Sequence, residues 1–119
     1  MSQKRTVLLI VDDESSVCRV LRRILRNKVD EIVSAETPGD ACVILETIAV
    51  THVLCDQLLG PGQLTGMDLV KDWKNQFPTI QKVIILTGTG LSSEDACPGI
   101  DLILPKTTDP ADLAMYLGV

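Results

Sequence analysis

Five short apolar runs, separated by stretches of helical period, constrain this chain most. They cover residues 6–11 (TVLLIV), 31–35 (EIVSA), 52–55 (HVLC), 82–86 (KVIIL) and 101–104 (DLIL). Val, Ile and Leu dominate, and the runs mostly lack polar alternation. That pattern marks strands covered on both faces. Between them the apolar period changes. Val17, Val20, Leu21, Ile24 and Leu25 recur at three- and four-residue steps within residues 15–27, one face of a helix. A second helix opens at Thr37 and Pro38, a capping residue followed by a residue suited to the first helical position. Its buried stripe is Ala41, Ile44, Leu45 and Ile48. A third occupies residues 65–76, with Met67, Val70 and Trp73 inward, and Pro78 ends it. A fourth, short and weak, falls at residues 92–96. A fifth begins near Asp109 and Pro110 and carries Leu113, Ala114 and Leu117. Strands alternating with helices require right-handed crossovers, hence a parallel sheet with helices on both faces.

The 119 residues fit one domain, residues 1–119, without linkers, repeats or low-complexity tracts. Trp73, Phe77 and Tyr116 are the only aromatics, so the core is aliphatic. The net charge of −5 argues against binding nucleic acid, which needs a basic surface to displace counterions. Cys18, Cys42, Cys55 and Cys97 form no C-x-x-C pair and His52 is the single histidine, which disfavours a zinc site. Each cysteine adjoins apolar residues and reads as a small hydrophobe in a reducing compartment. No stretch is a signal peptide or reaches membrane-spanning length, so a soluble cytoplasmic protein without membrane contact is expected. With so brief a lead before the first run, the domain is expected at a chain's start. The short tail fits either a stand-alone protein or a piece preceding an output domain.

Polar residues fall at the ends of the runs. The first ends at Asp12 and Asp13, the third at Asp56, the fourth at Thr87 and the fifth at Lys106. The second offers only Glu36. In an open parallel sheet the carboxyl ends of all strands share one edge, where ligands bind. Each residue alone has a plain explanation: a helix cap for Asp12 or Asp13, a turn for Asp56 or Thr87, a solvated charge for Lys106. None of these explains the convergence. Three carboxylates within about 5 Å repel by roughly 3 kcal/mol per pair at an effective dielectric near 20. A shared cation relieves this, and an all-oxygen donor set suits Mg²⁺. A carboxylate there can attack phosphorus to give an acyl phosphate. Asp56, alone on the central strand, is the expected nucleophile. Asp12 and Asp13 are better placed as metal ligands, with Lys106 offsetting charge on phosphoryl oxygens.

In this order, TVLLIVDDE, VLCDQLL, VIILTG and LILPK resemble the receiver domain of two-component response regulators, over essentially the whole chain. The resemblance implies a flavodoxin-like three-layer αβα sandwich with a five-stranded parallel sheet in order 2-1-3-4-5. It implies Asp56 as phosphoacceptor, served by a histidine kinase or phosphotransfer protein and signalling to an output domain or downstream protein by conformational change. Such a chain is no enzyme on a separate substrate; it assists its own phosphotransfer and dephosphorylation. Asp13 then binds Mg²⁺ directly, Asp12 through water, and the backbone carbonyl of Leu58 completes the protein ligands with Asp56. Thr87 contacts the phosphoryl oxygen in the active state and Lys106 pairs with Asp56 or its phosphate.

The chain departs from the family in several places. Thr107 follows the lysine where the family has Pro, and a cis bond before Thr would cost roughly 3 kcal/mol, so trans is expected. Ile103 stands where a Tyr or Phe switch residue is common. The segment from Thr87 to Lys106 is about one turn short, taken from the fourth helix. Gly60-Pro61-Gly62 lengthens the loop before Gly66, and the last helix is short. Leu58 and Thr89 fall at positions that tune phosphate lifetime in the family.

Arg19, Arg22, Arg23 and Arg26 line one side of the first helix, either as a solvated face or, as the family's first helix often does, as a docking surface for kinase helices. His52 is expected to be structural or exposed. Two functional rivals remain. One is a phosphorylation-independent interaction module, suggested by Ile103, Thr107 and the short fourth helix. The other is a metal-dependent phosphatase of the haloacid dehalogenase kind, which needs D-x-D where this chain has Asp12-Asp13-Glu14 and no cap domain. A nucleotide or flavin site lacks its glycine-rich loop after the first strand.

Overall fold

The computed structural model describes residues 5–60, 62, 64–88 and 99–119. Its elements are β1 (Val7–Val11), α1 (Ser15–Leu25), β2 (Glu31–Ala35), α2 (Pro38–Thr47), β3 (His52–Asp56), α3 (Gly66–Gln76), β4 (Lys82–Thr87), β5 (Leu102–Pro105) and α4 (Pro110–Leu117). All strand pairs are parallel and the order is β2-β1-β3-β4-β5. The expected flavodoxin-like fold is therefore present. The helix expected at residues 92–96, together with Thr89, Pro61 and Cys97, lies outside the described residues.

Both faces of the sheet are covered, as the uninterrupted apolar strands require. Alternate strand residues serve opposite cores. Leu9, Val53, Cys55, Val83, Ile85 and Ile103 pack with Ala41, Leu45, Val70 and Trp73 of α2 and α3. Leu8, Ile10, Leu54, Ile84 and Leu86 pack with Cys18, Leu21, Leu25, Leu113 and Leu117 of α1 and α4. Side-chain caps start three helices: Thr37 accepts from the Asp40 N–H, Thr65 from Asp68, and Asp109 from Ala111.

Helix α1 corrects the expected stripe. Leu21 and Leu25 point inward with Cys18, whereas Val20 and Ile24 are 50% and 38% exposed. The buried face is thus rotated toward Cys18. Cys55 is also buried and Cys42 half-buried. Peptide bonds among the described residues, including that before Thr107, are trans. Ile103, paired with Ile85 across the sheet, is core.

Candidate functional site

Strand register gathers the polar residues. β1 and β3 lie side by side, so Asp12, directly after Val11, comes beside Asp56, the last residue of β3. Backbone bonds lock the neighbouring strand ends: the Gln57 N–H donates to the Leu86 carbonyl at 2.9 Å and the Lys106 N–H to the Thr87 carbonyl at 2.9 Å. Oxygens of Asp12, Asp13 and Asp56 lie within 4.8 Å of one another. Asp12 and Asp56 are buried, while Asp13 is exposed at the rim. Lys106 bridges the buried pair, its Nζ 2.9 Å from Asp56 Oδ2 and 3.2 Å from Asp12 Oδ2. A cavity of about 600 Å³ opens above, lined by Asp13, Glu14, Asp56, Leu58, Gly60, Gly88 and Lys106.

The plain explanations for single residues do not hold here. Asp12 Oδ1 accepts the Glu14 N–H at 2.9 Å, but the N-cap of α1 is Glu14, with no side-chain cap bond. Asp13 has no side-chain hydrogen bond or ion pair among the described residues, so it is not engaged in capping. Lys106 is no free surface charge; its side chain is 28% exposed and doubly paired. Thr87 is buried at the end of β4. Leu58 lines the cavity and donates its N–H toward Asp56 Oδ1 at 3.4 Å, a long and weak bond.

The electrostatics show excess negative charge. Burial raises the Asp12 carboxyl above its ordinary value, and the nearby Asp56 charge adds to this. The Glu14 N–H and Lys106 oppose the rise without cancelling it. For Lys106, burial alone favours loss of its proton. The hydrogen bond to Asp56 and the charges of both carboxylates outweigh burial and raise it instead. One ammonium against three carboxylates leaves the cluster underneutralised. The donor set suits a hard dication: oxygens on opposite sides of Mg²⁺ are about 4.2 Å apart and adjacent ones about 3 Å, close to the spread found here.

Two supporting residues carry roles that local sequence patterns do not show. Gln57 holds the start of α3: its carbonyl accepts the Gly66 N–H at 2.9 Å and its Oε1 the Met67 N–H at 3.0 Å. Gly66 is required by close approach, since a Cβ there would lie 2.4 Å from the Asp56 carbonyl oxygen. Both contacts span about ten residues, and only a polar residue directly after Asp56 hints at them.

The chain matches the response regulator receiver domain family over residues 8–117. It is 33% identical over 101 residues to the hydrogenase transcriptional regulatory protein HoxA of Cupriavidus necator, covering 85% of this chain and 20% of HoxA. It thus spans about a fifth of that curated relative. Among solved structures it is similar to a receiver domain protein from Methanospirillum hungatei, at TM-score 0.82 and 25% identity, covering 97% of this chain and 92% of that one. A response regulator from Burkholderia pseudomallei, solved with a phosphorylated aspartic acid, calcium ion and citrate, shares the fold at TM-score 0.81 and 21% identity. That likeness covers 94% of this chain and 66% of the other. With the strand order and the gathered carboxylates in place, the match over nearly all its length makes this chain a member of the response regulator receiver domain family.

Proposed function

We propose that this receiver domain accepts a phosphoryl group on Asp56 from a histidine kinase or phosphotransfer protein in the cytoplasm, with Mg²⁺ bound, and passes the signal to an output domain or downstream protein. The observation that carries this reading is the cluster of Asp12, Asp13 and Asp56 oxygens within 4.8 Å, bridged by Lys106. The phosphorylated aspartic acid and calcium ion of the Burkholderia protein support it by analogy.

Asp13, Asp56 and the Leu58 carbonyl would hold Mg²⁺, with Asp12 acting through water. When bound, the ion supplies positive charge against the phosphoryl oxygens. A free Asp56 oxygen attacks phosphorus in line as the donor's P–N bond breaks, and the departing imidazole keeps the electron pair and takes a proton. Lys106 leaves its pairing with Asp56 to hold a phosphoryl oxygen, and Thr87 meets another in the active state. Hydrolysis by water at the same centre returns the carboxylate and inorganic phosphate. The domain is the acceptor, not an enzyme with a separate substrate, and catalysis rests on positioning and electrostatics.

Ile103 favours a second reading, a phosphorylation-independent interaction module, because it is core where the family often has an aromatic switch. One experiment separates the two. Incubation of the chain with Mg²⁺ and acetyl phosphate is expected to add one phosphoryl mass that Asp56→Asn abolishes. A chain that gains no mass, or gains it equally in the variant, refutes the phosphoacceptor reading.

A further inference from the structure

Helix α1 and its C-cap residue Arg26 carry four arginines, with Arg19, Arg22 and Arg23 in the helix, and the helix has no acidic residue. All four are exposed, and among the described residues none has a carboxylate within 4 Å. Arg22 alone makes a side-chain bond, from Nη1 to Ser34 Oγ of β2 at 3.3 Å. Their spacing creates four like-charge neighbour pairs, 19/22, 19/23, 22/26 and 23/26, each unfavourable by about 0.2–0.5 kcal/mol. The helix dipole offsets this only at the last turn. A chain of net charge −5 thus concentrates four of its 11 cationic residues on one face of a helix, where the fold does not need them.

The stripe has a definite direction. With Leu21 and Leu25 inward, Val17, Val20 and Leu21 line a groove toward α4 that also contains Lys106. The arginines lie on the other flank. They line a separate groove of about 400 Å³ with Asp30, Glu31 and Ile32, alongside β2.

β2 ends the sheet, with β1 as its one neighbour among the described residues. The Glu31 N–H donates to the Thr6 carbonyl, and the Ala35 carbonyl accepts from the Asp12 N–H. In a parallel ladder alternate residues bond the same neighbour. The N–H and C=O groups of Ile32 and Ser34 therefore point to the open side. The strand, EIVSA, contains none of the Pro or Lys residues that commonly guard an edge.

We propose that the open edge of β2 accepts an extended acidic segment of a partner protein as a sixth strand, with its carboxylates meeting the α1 arginines. Same-face residues on a strand repeat at about 6.6 Å. Arg19 to Arg23, and Arg22 to Arg26, each climb about 6 Å along the helix. One carboxylate in every second residue thus finds one guanidinium, whose planar fork matches it. Backbone pairing supplies affinity and the charges set direction. The chain's net charge of −5 disfavours a nucleic acid, which needs a broad basic surface to displace counterions. This surface is independent of Asp56 chemistry.

The test titrates the isotope-labelled full chain with an eight-residue peptide alternating Glu and Thr. Amide exchange at Ile32 and Ser34 is expected to slow at least tenfold on saturation. Arg22→Glu/Arg26→Glu is expected to weaken binding at least tenfold, with phosphorylation by acetyl phosphate unchanged. Ser34→Pro, which removes an outward N–H together with the hydroxyl that Arg22 contacts, is expected to lose the peptide although all four arginines are present. Should that variant not fold, the arginine pair and the exchange data decide alone. No binding at low salt, binding that leaves both amides unprotected, or binding indifferent to the arginine reversal overturns the proposal. So does tighter binding of a duplex DNA of equal charge.

Discussion

Lys106 Nζ stands 2.9 Å from Asp56 Oδ2, so the proposed phosphoacceptor is already ion-paired to the residue that would later hold its phosphate. Replacing that ammonium with an apolar chain of similar length isolates its contribution. Lys106→Met is expected to slow phosphorylation by acetyl phosphate on the order of 10²-fold, the usual effect of losing one charge-stabilising donor. Mg²⁺ is expected to bind more tightly in the same variant, because a competing cation is gone. Mass spectrometry over time and calorimetric titration read the two effects, and an unchanged rate would remove Lys106 from the chemistry.

Asp12 gives a signed prediction on stability. Its carboxyl is raised in the folded chain, chiefly by burial and then by Asp56. The folded state thus holds the proton better than the unfolded one. Stability associated with Asp12 falls as pH rises above about 3.8 through the folded value, and the penalty persists at neutral pH. Asp12→Asn is therefore expected to raise the thermal midpoint at pH 7 without Mg²⁺, by about 2 °C or more. The gain shrinks at pH 4 and in saturating Mg²⁺. Calorimetry at the two pH values checks it, and a lowered midpoint at pH 7 contradicts it.

His52 acts in the opposite sense. It is buried at the start of β3, with Nδ1 2.8 Å from Thr51 Oγ1 and a hydrogen bond to the Leu117 backbone at the end of α4. Burial first, then Lys82, lowers its basicity; the Leu117 bond and Asp101 oppose without winning. The unfolded chain then binds the proton better. The contribution of His52 is complete above about pH 6.5 and is lost as pH falls through the folded value. Urea midpoints of the native chain are expected to drop more between pH 7.5 and 5.5 than those of His52→Gln. Parallel curves would show that the imidazole carries no linkage.

The orientation of α1 yields a contrast between neighbours. Leu21 is 4% exposed and Val20 is 50% exposed. Leu21→Ala is expected to cost about 2–4 kcal/mol, and Val20→Ala within about 0.5 kcal/mol. Chemical denaturation of both variants measures the difference. Equal losses would place Val20 in the core.

The apolar runs announced the sheet through their Val, Ile and Leu content, and the polar residues that end the first, third, fourth and fifth of them pointed to one edge. Both signals are local. The orientation of α1 was less legible, because Val17, Cys18, Val20, Leu21, Ile24 and Leu25 form an apolar band wider than the sheet can cover. Only the seat of the helix between β1 and α4 chooses Cys18 over Val20. Gln57 escaped notice for another reason: its partners, Gly66 and Met67, lie across a loop whose path no periodicity encodes. His52 could be read only as structural or exposed, since its bond to the Leu117 backbone joins residues 65 positions apart.

The bare α-carbon of Gly66 rests against the Asp56 carbonyl, and its N–H is bonded to Gln57. No slack separates the tip of β3 from the first turn of α3. A backbone shift at Asp56 would therefore press directly on the first turn of a helix whose far face is open to water.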